Sequence, residues 1–96
     1  MPAYVIATVD VTDPATYEEY RKLVPATLEQ HGGKFLVRGG KYEIMGGTWD
    51  PKRVVVLEFE SVERAKQWWS SEEYRVPKEI RQRASISNLI IVEGAA

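Results

Sequence analysis

β-Branched and apolar residues concentrate in short runs that are bounded by turn and helix-capping residues. Three runs have the composition of strands: residues 3–11 (AYVIATVDV), 53–60 (RVVVLEFE) and 85–94 (SISNLIIVEG). A fourth, residues 34–38 (KFLVR), is followed by Gly39-Gly40 and then by residues 41–45 (KYEIM). Because paired glycines inside a strand pattern indicate a bulge or bend, we expect this strand to bend at Gly39-Gly40 and continue to residue 45.

Two other segments carry apolar residues at helical spacing. The first begins at Asp13-Pro14, a cap residue followed by one suited to the first turn, and ends at Gly32-Gly33. Its apolar stripe consists of Tyr17, Tyr20, Val24, Leu28 and His31. The second begins after Ser61 and restarts where Ser70 and Glu73 have the spacing of a capping box.

The resulting order β-α-β-β-α-β predicts an α+β, ferredoxin-like sandwich with an antiparallel sheet. A length of 96 residues predicts a single domain over residues 1–96. A phosphate-binding loop is not indicated, because the glycine pairs do not lie between a strand and a helix N-terminus.

Alternation along the strands predicts two different sheet faces, because right-handed crossovers place both helices on one face. The set expected under the helices is Val5, Ala7, Val9, Phe35, Val37, Val55, Leu57 and Phe59. The set expected on the open face is Tyr4, Ile6, Thr8, Leu36, Arg38, Val54, Val56 and Glu58. The open face is too apolar to remain in water, so we expect a homodimer in which a second subunit's sheet covers it.

Composition narrows the function classes. The net charge is −1, which argues against nucleic acid as a partner, since phosphate binding needs a basic excess. There is no cysteine and one histidine, so we do not expect a metal site. We also expect no bound cofactor. No apolar run is long enough to cross a membrane, and residues 1–10 lack the basic region of a signal peptide, so the expected location is the cytoplasm.

The segments GGKFLVRGG, TWDPKRVVVLEF and VEG, together with the spacing of the aromatic residues between them, resemble the domain-of-unknown-function family numbered 1330. The resemblance extends over nearly the whole chain. It implies membership of the dimeric α/β-barrel superfamily, with a ferredoxin-like protomer that pairs sheet to sheet. The resemblance does not imply a particular activity.

Arg38 and Glu58 are the charged residues expected on the open face, where they form either a structural ion pair or part of a ligand site. In the second case Arg38 would bind a carboxylate or enolate in a pocket between sheet and helices. His31 is either a favourable contact at a helix C-terminus or a general base near neutral pH. The sequence leaves open whether Arg38 and His31 share one cavity.

Three further residues are candidates for lining a ligand pocket. Tyr17 lies on the first helix stripe, where an aromatic ring forms part of either the core or a pocket wall. Trp49 lies in a predicted turn, where a large ring is expected to cover a pocket or a partner subunit. Arg81 belongs to a basic run that is typical of a solvated face, but it matches a position in the family that could point inward.

These features support three hypotheses from different classes. The first is a dimer that binds a small anionic or aromatic molecule between sheet and helices. The second, suggested by relatives in the superfamily, is a cofactor-independent oxygenase or isomerase. The third is a structural or interaction module without a ligand. The sequence does not decide whether the protein is an enzyme.

Overall fold

The computed structural model describes residues 1–95, which form four strands and three helices. In chain order these are β1 (Ala3–Val11), α1 (Pro14–Gln30), β2 (Lys34–Arg38), β3 (Val54–Phe59), α2 (Val62–Trp69), α3 (Glu72–Ala84) and β4 (Ser85–Glu93). The restart predicted in the second helical segment is confirmed as a break between α2 and α3.

The strands form one antiparallel sheet in the order β2-β3-β1-β4. The central strand β1 shows the predicted alternation, with Ala3, Val5, Ala7 and Val9 buried under the helices and the residues between them more exposed. This is the predicted ferredoxin-like arrangement. Among residues 1–95, no helix is both long and apolar enough to span a membrane.

Local capping fixes where the helices begin and end. The carboxylate of Asp13 accepts hydrogen bonds from the Thr16 backbone N–H and hydroxyl, which closes the first turn of α1. At the other end Gly32 has φ +71°, and Gly33 N–H donates to the Leu28 carbonyl at 2.8 Å. This is a glycine-terminated helix end, as predicted. The cap of α3 is Ser71, one residue later than the predicted Ser70.

The core between sheet and helices is built on aromatic rings. Trp68 and Tyr74 are almost completely buried with their ring centroids 4.1 Å apart, and Phe59 packs against Trp68. The indole N–H of Trp68 donates to the hydroxyl of Thr27 at 3.0 Å, so this polar group is satisfied inside the core.

The structure corrects the predictions for the second strand. Residues 41–45 are not a strand, because β2 ends at Arg38 and residues 39–53 form a loop. The pairing irregularity lies earlier, between Phe35 and Val37. One extra residue there reverses the alternation beyond it. Val37 therefore pairs with Val56 on the open face, and Arg38 pairs with Val55 on the helix side.

The prediction that Arg38 lies on the open face is therefore wrong, as is the assignment of Val37 to the helix side. The open face of the isolated chain nevertheless remains strongly apolar. Its most exposed large side chains are Leu36, Val37, Ile86, Ile90 and Val92, with exposures from 38% to 69%.

Candidate functional site

A cavity lies between the sheet and the three helices, with lining residues on α1, α2 and α3. Its walls are largely apolar and include Val5, Val24, Leu57 and Trp68. About 30 Å³ is open to the centres of water molecules, where one water needs roughly 10–15 Å³. The enclosed space therefore accommodates a compact chemical group rather than a large ring system.

Four arginines line this cavity: Arg21 on α1, Arg38 at the end of β2, Arg53 just before β3, and Arg81 on α3. Among the described residues that line it there is no Asp, Glu or His. Such convergence of like charges is unfavourable unless an opposite charge compensates it. A cavity with this lining can bind an anion through planar, multiply donating guanidinium groups.

Arg81 is the most deeply buried of the four, with only 4% of its surface exposed. Its guanidinium carbon lies 5.6 Å from the centre of the Trp69 ring. Neither Nε nor Nη1 has a hydrogen-bond partner within residues 1–95. A buried cation with unpartnered donors carries a desolvation cost that a bound anion would offset.

Arg38 lines the cavity but is itself exposed to solvent. Its Nη2 donates to the backbone carbonyl of Arg21 at 2.8 Å, and its guanidinium lies 4.3 Å above the Phe35 ring. Arg21 in turn pairs with Glu18 at 3.1 Å, while its buried Nε has no partner in the described part of the chain. The Arg38 side chain thus joins β2 to α1 beside the cavity.

Arg53 enters the cavity past the backbone of Gly39. An added Cβ at Gly39 would overlap the Arg53 guanidinium, and Gly39 also has φ +71°. The Arg53 guanidinium lies 5.7 Å from the centre of the Tyr17 ring, and its Nε has no hydrogen-bond partner in residues 1–95. Gly39 is therefore required both for the turn and for the approach of Arg53.

Two tyrosines form a hydrogen-bonded pair at the cavity wall. The hydroxyls of Tyr20 and Tyr74 are 2.9 Å apart. Burial raises the pKa of Tyr20 well above its ordinary value, and it raises the pKa of Tyr74 although the nearby Arg81 opposes this. Both phenols therefore stay protonated near neutral pH. They can donate or accept hydrogen bonds, but they are poor general bases.

The structure brings three of the predicted site residues to this cavity, namely Tyr17, Arg38 and Arg81. His31 does not line it. Its imidazole contacts the carboxylate of Glu73 at 2.7 Å, where the end of α1 meets the start of α3. Arg38 and His31 thus do not share the cavity.

The other two candidates also lie elsewhere. Glu58 is on the open face and pairs with Lys34 across β2 and β3 at 3.0 Å, so it forms no pair with Arg38. Trp49 is 69% exposed and borders a second, more polar depression beside Thr8 and Asn88. Within residues 1–95, His, Asp and Glu side chains do not gather in groups of three or more that could hold a metal.

Sequence reasoning missed Arg21, Arg53 and Tyr20 as cavity residues. Tyr20 was assigned to the apolar stripe of the first helix but not to a pocket, and a signal was also present for the two arginines. Arg21 lies four residues after Tyr17 and three before Val24, which places it on the buried side of α1. Arg53 precedes Val55 and Leu57 in the alternation that faces the helices. Charged residues at apolar positions were the available evidence of a site.

The family model described as a domain of unknown function (DUF1330) matches residues 2–95, so the chain belongs to that family. Among curated proteins, none matches the sequence. A solved protein of unknown function from Rhodopseudomonas palustris is 21% identical, with a TM-score of 0.78 over 99% of this chain and 83% of its own.

Two other solved structures share the fold at lower identity. The cofactor-independent oxygenase SnoaB from Streptomyces nogalater is 11% identical, with a TM-score of 0.67 over 99% of this chain and 94% of its own. A dimeric protein of unknown function with a ferredoxin-like fold, from Bacteroides fragilis, is 13% identical, with a TM-score of 0.64 over 97% of this chain and 96% of its own. At these identities the likeness concerns the fold alone.

Proposed function

We propose that this member of the DUF1330 family binds a small anionic molecule in the cavity between its sheet and helices. The observation that carries the proposal is the cavity lining, which contains four arginines and, among the described residues, no carboxylate. The apolar walls would contact a hydrocarbon or aromatic portion of the ligand, and the guanidinium groups would bind its charge.

Burial strengthens the argument that these arginines bind a ligand. An arginine with a structural role is usually exposed or paired with a carboxylate. Arg81 is neither, because it is 4% exposed and makes no ion pair within residues 1–95. A ligand anion would supply the missing charge and accept hydrogen bonds from Nε and Nη1.

A cofactor-independent oxygenase is the second candidate, favoured by the fold shared with SnoaB. Such chemistry on an enolisable substrate requires that a proton be removed or that the substrate arrive ionised. The described lining contains no carboxylate or histidine to accept a proton, and the buried Tyr20 stays protonated. Simple binding therefore agrees better with the cavity than turnover does.

We further propose that the protein is a homodimer that pairs through the open face of its sheet. The face presents Ile86, Ile90 and Val92 to solvent in the single chain, and a contiguous exposed apolar patch often marks a site of protein–protein contact. The dimeric protein from Bacteroides fragilis has the same fold. A stable interface of this kind buries roughly 1,600 Å² or more.

Light scattering tests the dimer, with an expected mass of twice the 10.9 kDa chain. Ile90→Lys should give a folded monomer, because Ile90 is already 58% exposed in the single chain. Leu23→Lys is the matched control, since Leu23 is a similarly exposed residue on α1, and it should leave the dimer intact. A wild-type monomer, or an unchanged mass for Ile90→Lys, would contradict this assembly.

Thermal shift with a panel of small anions tests ligand binding. Anything that binds only the folded state raises the melting temperature. Phenyl phosphate and benzoate are the probes, and Arg38→Met should reduce the shift they cause. Arg75→Met, which removes an exposed arginine paired with Glu72 on α3, should leave the shift unchanged. The proposal is refuted if no anion stabilises the protein, or if both variants respond alike.

A further inference from the structure

We infer that the cavity is built for a compact oxyanion group with two negative charges, such as the head of a phosphate monoester. The inference rests on the proposed function and specifies its ligand. It follows from the number of uncompensated charges, the size of the enclosed space and the protonation state of the lining residues.

The charge count favours a ligand with more than a single negative charge. Of the four lining arginines, only Arg21 has a carboxylate partner, Glu18, within 4.0 Å among residues 1–95. Arg38, Arg53 and Arg81 have none in the same range. A singly charged ligand would leave two of these three positive charges uncompensated, whereas a doubly charged ligand would leave one.

The enclosed space favours one compact head group. The accessible volume of about 30 Å³ holds roughly two or three water molecules, which favours one small oxyanion head over a larger charged group. Three of the lining arginines carry buried donors without a partner in residues 1–95: Nε of Arg21, Nε of Arg53, and Nε and Nη1 of Arg81. A tetrahedral oxyanion can accept hydrogen bonds from several directions at once, which a planar carboxylate cannot do equally well. The rest of the ligand would extend toward the exposed Arg38, in contact with the Phe35 side of the lining.

Phenyl phosphate and phenyl sulfate are a matched pair of probes. They have nearly the same size and shape, but the phosphate ester carries a second charge above a pKa of about 6, whereas the sulfate ester stays singly charged. Isothermal titration calorimetry at pH 7.5 should show phenyl phosphate binding at least tenfold more tightly. Malonate, which spreads two charges over two carboxylates, should bind more weakly than phenyl phosphate.

The pH dependence gives an independent readout. Between pH 5 and 7.5 the affinity for phenyl phosphate should rise roughly five- to tenfold as the ester ionises with a pKa of about 6, while that for phenyl sulfate stays flat. The groups that face the ligand are Tyr17, Tyr20 and Arg21 on α1, Arg38, Arg53 and Arg81, with Glu18 behind Arg21 and Tyr74 behind Tyr20. Phenols and guanidinium groups ordinarily keep their protons over this range. His31 lies outside the cavity, so His31→Gln should show the same profile.

The outcomes separate this inference from the function on which it rests. If the two esters bind equally well, and both Arg81→Met and Arg38→Met lose this binding, the inference of a doubly charged ligand is wrong, while the proposal of anion binding stands. If malonate binds more tightly than phenyl phosphate, the inference of a compact head group is wrong. Binding of neither ester would overturn the proposed function itself. We expect a tenfold preference for phenyl phosphate over phenyl sulfate. Arg81→Met should abolish this preference, and Arg75→Met should retain it.

Discussion

Replacing Arg81 with methionine should stabilise the ligand-free protein while it removes anion binding. The arginine is 4% exposed and leaves Nε and Nη1 without partners among the described residues. Each unsatisfied buried donor costs about 1–3 kcal/mol, and an apolar residue in place of a buried ionic group is often neutral or stabilising by about 1–4 kcal/mol. Methionine keeps an unbranched stem that can fill the same space beside Trp69.

We therefore expect the free energy of unfolding to rise by about 1–4 kcal/mol for Arg81→Met. For a domain of this size each kcal/mol corresponds to roughly 4–8 °C in Tm. Guanidinium chloride unfolding without added anions measures the change. Arg83→Met is the control, because Arg83 is exposed on the last turn of the same helix and its replacement should have little effect. A loss of about 3 kcal/mol or more for Arg81→Met would refute the reasoning, because that is the cost of breaking a buried ion pair.

Two further predictions concern the glycine turn and the tyrosine pair. Gly39→Ala should destabilise the protein by roughly 1–3 kcal/mol, because residue 39 has a positive φ and the new Cβ would overlap the Arg53 side chain. Gly40→Ala is the control and should be nearly neutral, because no atom lies within 4 Å of the added Cβ. Equal urea midpoints for the two variants would contradict this. Because the pKa of Tyr20 and of Tyr74 is raised by burial, the folded state holds these protons more tightly than the unfolded chain does. Stability should be complete below pH ~10 and fall above it by up to about 1.4 kcal/mol per pH unit for each tyrosine. The free energy of unfolding, measured with denaturant at several pH values from 9 to 11, should therefore fall less steeply with pH for Tyr20→Phe than for the wild type. An equally steep fall would show that ionisation of Tyr20 does not contribute to the loss of stability.

The fold was predictable from local patterns because each element has its own signal. Asp13-Pro14 begins α1, Gly32-Gly33 ends it, and the alternation in β1 and β3 agrees with the observed burial. These features depend on nearest neighbours along the chain, so the sequence alone contains them.

The candidate site was only partly predictable, because one inserted residue reverses the direction of every side chain beyond it. Sequence alternation placed Arg38 on the open face, and the irregularity between Phe35 and Val37 turns it to the helix side. A bulge of this kind depends on pairing with a distant strand, so it left no local signal other than the nearby glycines. The separation of His31 from the cavity likewise depends on how α1 packs against α3.

The central claim is that an anion binds among the cavity arginines, and an anomalous-scattering experiment tests it most directly. Selenate is a compact, doubly charged oxyanion whose selenium can be located in crystals of the wild-type protein. We predict a selenium peak inside the cavity, with selenate oxygens about 2.7–2.9 Å from the Arg81 guanidinium, and no such peak in Arg81→Met. Selenate bound only at exposed arginines such as Arg75 and Arg83, with none beside Arg81, would contradict the account.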